Sequence, residues 1–405
     1  MEPKIRFKGF EEEWRKTKYS SFATIRRGLT YSPENIASKG IRVLRSSNID
    51  EDVFIRSEED VFVHSSCINI PLAKDGDILI TAANGSPRLV GKHAVINNLN
   101  EDKVVPGGFM ILASSKEPYF LNSCMGAPWY KTFLKTGVAG GNGAIGNLNK
   151  NTLEEYEFYT PSNKLERDEI ASYFTTLDAQ ISASTFRLAS LRQTKAASLQ
   201  AMFPQEGETM PKVRFKGFDG EWKKVSFKDF TFHAGTKNRD NLPLESYSIS
   251  NEFGFIPQNE QFENGGTMTQ ADKRMYYIVS SNSFAYNPAR INVGSLGYYE
   301  GNEDVIVSSL YEVFKTDDTI CDRFLLYWFK TNIFQKMIEQ FQEGGVRLYF
   351  FYDKMCKCSL KRPSLAEQQA IASYFTSLDH QISLQAQRLE KLKQIKAACL
   401  EKMFV

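Results

Sequence analysis

Histidine and cysteine are scarce in this sequence, and that shortage removes most metal and disulfide chemistry at once. The four histidines, His64, His93, His233 and His380, are scattered and form no HExxH pair. Six cysteines occur in 405 residues without a CxxC spacing, so neither a zinc ribbon nor a disulfide framework is expected. Cys356 and Cys358 stand too close for common zinc spacing, and a reducing compartment fits. No run of about 18 apolar residues exists to span a membrane. The opening MEPKIRFKGFEEEW has no apolar core of a secretory leader, so the expectation is a cytoplasmic chain with no membrane partner. An excess of one charge is also missing: 50 Lys and Arg stand against 48 Asp and Glu, a net charge of +2. Any basic surface must therefore come from arrangement, and a nonspecific cationic coat for nucleic acid is excluded. GxxxxGK[ST] is absent, which argues against ATP use by this chain.

What is present is enough apolar material for a folded protein, 42% hydrophobic and 13% aromatic, on a chain long enough for more than one domain. The chain is also written twice. KIRFKGFEEEW (Lys4 to Trp14) recurs as KVRFKGFDGEW (Lys212 to Trp222). The stretch from Ile170 to Phe203 returns from Ile371 to Phe404, identical at roughly 21 of 34 positions. Between these markers lie two globule-sized stretches that resemble each other only faintly. The expected organisation is a globule over 1–160, a long helix over 161–205, a second globule over 206–362 and a second helix over 363–405. Pro161 and Pro363 punctuate the helix starts, and PQEGETMPK (Pro204 to Lys212) reads as a linker.

Within the repeated helices, Ile170, Phe174, Leu177, Ile181, Leu188 and Leu191 fall on steps of four and three, as do Ile371, Phe375, Leu378, Ile382, Leu389 and Leu392. That is a coiled-coil seam, continued to Met202 and Met403. A helix of about 34 residues is about 50 Å long and too narrowly striped for one small globule to cover. The expected partner is the other copy, packed antiparallel. Ser184, Lys195, Gln385 and Lys396 interrupt the stripe at matching steps, where polar residues commonly fix register. The plainer alternative is that each helix packs only on its own globule.

Each globule reads as mixed α+β. In the first, strands are expected at Arg42 to Leu44, Asp77 to Thr81 and Phe109 to Leu112, with a helix near Ala127 to Lys135. In the second, strands are expected at Tyr276 to Val279, Phe284 to Tyr286, Val305 to Val307 and Tyr311 to Phe314, with a helix near Arg323 to Phe341. The loops hold hydrogen-bonding side chains suited to nucleic acid. The first globule offers Arg42, Arg45, Ser47, Asn48, Asn84, Ser86, Arg88 and Lys92, then Asn142 and Asn147 in a glycine loop. The second offers Lys237, Asn238, Arg239, Tyr286, Asn287, Arg290 and Asn292, then Arg347, Tyr349 and Lys354. Arg and Lys bond guanine and phosphate, Asn bonds adenine, and glycine lets backbone approach a phosphate. Surface loops of any protein contain such residues too.

Catalytic signatures are weak. Gly141, Gly143 and Gly146 satisfy GxGxxG, but a helix precedes and a strand-like EEYEFY follows, the reverse of a dinucleotide site. Tyr286-Asn287-Pro288-Ala289 lacks the second proline and the aromatic of the motif that holds a flipped adenine. The residues alone leave three readings open: a DNA-specificity protein, a degenerate adenine methyltransferase, or a scaffold for protein partners.

Two unlike globules alternating with two near-identical helices resemble the specificity subunit of type I restriction-modification systems. The helices open on E-x-x-x-IASYFT-x-LD, led by Glu166 and Glu367, and close on K-A-A-x-L-x-x-MF. The RF-x-GF-x-x-EW element and LAKDGDILIT (Leu72 to Thr81) are similar to that family's target recognition domains. The resemblance implies an α+β protein of two pseudo-symmetric recognition domains joined by two long antiparallel coiled-coil helices. It implies a non-catalytic subunit without a cofactor of its own that binds double-stranded DNA at a bipartite, asymmetric target. Two modification subunits would bind S-adenosylmethionine and methylate adenine, and restriction subunits would use ATP and Mg to translocate and cleave.

Overall fold

The computed structural model describes residues 2–139, 146–251, 253–261 and 272–405. Asn142, with Gly141 and Gly143, lies outside them. The chain divides into two units, residues 1–187 with 385–405, and residues 188–384.

In the first unit, Ile78–Thr81 is buried at every position, as an apolar run in a central strand should be. It sits between His93–Val95 and Met110–Ser115, and Ala23–Arg27 completes this antiparallel sheet. A second sheet orders Val104–Pro106, Ile41–Leu44, Val61–Val63 and Ile36–Ala37, the first pair parallel. Arg15–Lys18 pairs with Glu157–Thr160, so the start of the globule is stitched to its end. Helices Pro118–Met125 and Pro128–Gly137 bury Phe120, Trp129 and Phe133.

The second unit repeats this frame. Thr231–His233, Glu312–Thr316, Ser283–Tyr286 and Leu296–Tyr299 form one sheet. Thr236–Lys237, Tyr277–Val279, Val305–Val307, Ser246–Ser250 and Gly254–Pro257 form the other, with Val305–Val307 parallel to Ser246–Ser250. Lys223–Ser226 pairs with Ser359–Arg362 as the stitch. The helix expected from Arg323 to Phe341 is two, Asp322–Trp328 and Asn332–Phe341. The break falls at Thr331, buried and bonded through its hydroxyl to the Trp328 carbonyl at 2.7 Å. Phe109 and Tyr311, expected in strands, instead stand in the connections that precede Met110 and Glu312.

The two long helices are Lys164–Ala201 and Leu365–Lys402, 38 residues each. Residues 188–201 of the first belong to the second unit, and residues 385–402 of the second belong to the first. Packing of each helix on its own globule alone is therefore not what the chain does. Inside each unit two helix segments run antiparallel, and the motifs that announced the repeat explain how. In the first unit, Arg6 grips Glu166 with two bonds of 2.7 and 2.9 Å, and Trp14 packs edge-on to Phe404. Lys396 reaches Asp178 at 2.8 Å, and Tyr173 meets Cys399 at 3.3 Å. In the second unit the same positions give Arg214 with Glu367, Trp222 with Phe203, Lys195 with Asp379, and Tyr374 with Ser198.

The polar interruptions of the stripe thus find polar partners, and Gln385 also donates to the Ser184 carbonyl at 3.2 Å. Of the seam residues, Ile170, Phe174, Leu177, Ile181, Leu188, Ile371, Phe375 and Leu378 are buried; Leu191, Ile382, Leu389 and Leu392 are half-buried. Apolar burial of this kind contributes roughly 25 cal/mol per Å², so the segments stay together in water without a covalent link.

Candidate nucleic-acid interface

In the first unit, the connection between Val104–Pro106 and Met110–Ser115 is the pivot. Its residues 107–109 are Gly-Gly-Phe, and the glycines are there because the backbone is crowded. A Cβ on Gly28 would lie 1.9 Å from the Gly107 carbonyl oxygen, and one on Gly108 would press on Thr30 at 3.2 Å. The Phe109 carbonyl accepts from the amides of both Ala82 and Ala83, at 2.9 and 3.0 Å. On this fixed backbone the Phe109 ring is 68% exposed.

Two hollows meet at Phe109. The larger, about 610 Å³, is also lined by Arg45, Ser46, Asn84 and Gly85. The smaller, about 270 Å³, is lined by Arg27, Asn147 and Lys150. The three basic residues and the two asparagines come from distant parts of the chain. Strand pairing unites two of them, because Asn84 and Asn147 lie in the paired strands Ala83–Asn84 and Gly146–Leu148. Asn84 donates to Ser46 at 3.2 Å, which ties the Arg45–Asn48 loop to this edge. Among the described residues no carboxylate lines either hollow.

Not every expected residue is free to bind. Asn48 is fully buried: its oxygen accepts from the Arg45 amide at 2.8 Å, and its amide donates to Ile55 and Asp60. Its work is to shape the loop that presents Arg45 and Ser47, both exposed. Arg42 is committed to Asp60 at 2.6 Å and lies over the Phe62 ring. Ser86 and Arg88 are exposed beside Asn84, and Lys92 is half-buried.

The second unit sorts in the same way. Asn238 is buried, with both amide atoms bonded to the Leu242 backbone. Tyr286 is fully buried in the apolar core, and burial pushes its phenol well above the ordinary range. These two, with Asn48, leave the interface because a base edge cannot reach a side chain enclosed by its own domain. Lys237 donates to the Met275 carbonyl and lies over the Tyr277 ring at 3.5 Å. Lys354 pairs with Glu343 at 2.8 Å. The exposed groups are Arg239, Arg290, Asn292 and Arg347, with Asn287 and Tyr349 partly so. Paired backbone bonds between Glu343 and Tyr349 hold Arg347 near the tip of a short loop, and Tyr349 stacks on Phe351. The Phe350 amide bonds the Pro288 carbonyl at 3.0 Å, bringing this loop beside the Asn287–Asn292 segment.

Residue-type reasoning overlooked Arg27 and Lys150, which sit in a strand end and a helix start, and Phe109, which is apolar. The signal that could have found Phe109 is position, at the end of the connection leading from the parallel strand into the long central one.

Among the described residues no group of His, Cys, Asp and Glu is placed to hold a metal, and no helix is long and apolar enough to cross a membrane. A repeated frame that carries two unlike sets of basic and amide loop residues suits the reading of a nucleic-acid sequence. Residues 220–394 match the family model described as the type I restriction modification DNA specificity domain. No curated protein matches the sequence. The type I restriction-modification system S subunit from M. genitalium has a similar fold, with a TM-score of 0.59 at 14% identity over 100% of this chain and 99% of that one. The HsdS subunit from Thermoanaerobacter tengcongensis gives 0.44 at 14% identity, over 98% and 97% of the two chains. Residues 220–394 thus match a type I DNA specificity domain, and the chain as a whole has a fold similar to that of an S subunit.

Proposed function

We propose that the chain reads a bipartite, asymmetric DNA target, with residues 1–160 and 206–362 as target recognition domains and one half-site for each. The observation that carries this reading is the contrast within the repeat. The frame contacts are duplicated pair for pair, whereas the exposed loop residues differ, Arg45, Ser47, Ser86 and Arg88 in the first unit against Arg239, Arg290, Asn292 and Arg347 in the second. Two readers of identical half-sites would have no need of different loops.

The helical regions 161–205 and 363–405 set the gap. A 38-residue helix is about 57 Å long, more than the roughly 34 Å of one duplex turn that usually separates half-sites read from one face. The chain supplies no chemistry itself. Two modification subunits bring S-adenosylmethionine and methylate adenine, and restriction subunits use ATP and Mg for translocation and cleavage, in the cytoplasm where the genome is. The test is co-expression with a matching modification subunit, followed by mapping of methylated adenines across a genome. An asymmetric two-part motif is expected; two identical half-sites, or no motif, would overturn the reading. A scaffold for proteins would instead show duplex binding that is absent or indifferent to salt, since phosphate neutralisation makes affinity fall steeply as salt rises.

A further inference from the structure

Several apolar side chains stand exposed near the cations and amides, among them Ile36, Val293 and Val346; Phe109 and Leu310 are singled out by their place in the fold. They stand in the same connection of the two units, Phe109 directly before the strand and Leu310 one residue further back. Residues 107–109 join Val104–Pro106, the strand parallel to Ile41–Leu44, to Met110–Ser115. Residues 308–311 join Val305–Val307, the strand parallel to Ser246–Ser250, to Glu312–Thr316. Phe109 is 68% exposed and Leu310 is 72% exposed. The connection residues themselves differ, Gly-Gly-Phe against Ser-Ser-Leu-Tyr, so an exposed apolar group recurs where the surrounding residues do not. Both backbones are held: Phe109 by the Ala82 and Ala83 amides, and the second loop by the Tyr311 amide on the Ser308 carbonyl at 3.0 Å.

We propose that Phe109 and Leu310 are specificity-determining residues, each meeting the C5-methyl group of a thymine in the major groove of its half-site. The inference rests on the function proposed above and names one kind of base edge that each unit reads. Of all the groups that base pairs display in the grooves, the thymine methyl alone is apolar, so an apolar side chain among base-reading groups has one partner there. The charge around Phe109 suits the same ligand. Arg27, Arg45 and Lys150 flank the ring with no carboxylate lining the hollows, which matches a phosphate backbone on either side of a groove. Asn147, exposed beside it, has the donor and acceptor pattern that adenine complements, on the partner strand of a thymine or next to it.

The test uses the full chain with its modification subunit and duplexes carrying the mapped target, in which each thymine is replaced in turn by deoxyuridine, which lacks only the methyl group. In the unaltered chain, deoxyuridine at one position of the first half-site is expected to weaken binding about fourfold, the value of one buried methyl. Phe109→Ala should erase that sensitivity and relax methylation at that base pair alone, Phe109→Leu should restore part of it, and Leu310→Ala should do the same in the second half-site. Loss of affinity without change of base preference overturns the proposal, as does failure of Phe109→Ala to co-purify with the modification subunit, which would make the ring a protein contact. Unchanged deoxyuridine sensitivity in both variants also overturns it. If the unaltered chain shows no sequence preference at all, the proposed function fails first.

Discussion

Arg214 and Glu367 form a two-bonded ion pair, both bonds 2.7 Å, in which the glutamate is almost fully enclosed and the arginine also donates to the carbonyls of Asp219 and Gly220. Arg6 and Glu166 repeat it in the first unit, where Trp14 adds a third bond to the carboxylate at 3.3 Å. The pair clamps the start of each globule onto the first turn of the helix that leaves it. It explains why the same arginine and the same lead-in glutamate appear in both copies of the sequence.

Replacing one partner of such a pair strands the other. Glu367→Ala is expected to destabilise the second unit by about 3–5 kcal/mol, and Arg214→Met on that background to recover part of the loss, because no buried charge remains unmatched. Urea unfolding of the three variants measures this. A loss under about 1 kcal/mol for Glu367→Ala would show that the clamp behaves as a surface pair.

The Glu51-Asp52 turn offers a pH test. Both residues have positive φ, 43° and 66°, in a two-residue hairpin that usually takes Asn-Gly. Lys393 holds Glu51 at 2.6 Å, and Lys396 holds Asp52 at 3.2 Å as well as Asp178. Burial works to raise the Asp52 carboxyl, but His93, Lys396 and Lys92 hold it below its ordinary value; burial keeps Asp178 above its own. The Asp52 contribution is therefore present above the carboxylate range and is lost as pH falls through its lowered value. Asp178 acts in the opposite sense, favouring the fold while protonated and less as pH rises. Lys396→Met removes the cation both share, so both carboxyls are raised. The variant should lose about 2 kcal/mol near neutral pH and much less near pH 4. Unfolding measured at both pH values checks the difference, and an equal loss at each would count against the network.

Close approach of backbone to backbone makes Gly28 irreplaceable where Gly85, nearby, is not. Gly28→Ala would place its methyl 1.9 Å from the Gly107 carbonyl, whereas nothing lies within 4 Å of a Cβ at Gly85. Gly28→Ala is expected to cost about 1–3 kcal/mol, and Gly85→Ala to be neutral, by thermal unfolding.

For the exposed arginines the expected result is selectivity, not strength. Arg45→Ala should lower discrimination at the first half-site, and Arg290→Ala or Arg347→Ala at the second, by about 1–3 kcal/mol where the side chain contacts a base. A uniform fall in affinity with a shallower salt dependence would assign that residue to phosphate.

Removing one heptad from both helices tests the spacer. About 10 Å of helix is lost, so the recognised gap should shorten by roughly three base pairs. The methylation motif reads this directly, and an unchanged gap would mean that helix length does not set it.

The amino-acid sequence alone determined the duplicated order, the long helices and the family resemblance, because those are carried by period and repetition. Several residues that marked the repeat, Arg6 with Glu166, Asp178 with Lys396 and Trp14 with Phe404, prove to be the two halves of one contact. The short strands Ala23–Arg27, Val61–Val63, His93–Val95 and Leu296–Tyr299 left no such trace. Strands of three to five residues stabilised by distant neighbours carry too little local pattern. Only the tertiary structure decided which loop residues face solvent. Asn48, Asn238 and Tyr286 look like readers of DNA by type, yet their side chains are enclosed by their own domains. Phe109 looks like a core residue by type, yet the amides of Ala82 and Ala83 fix its carbonyl and the ring stands in water. Residue type states what a side chain could bond, and packing alone states what can reach it.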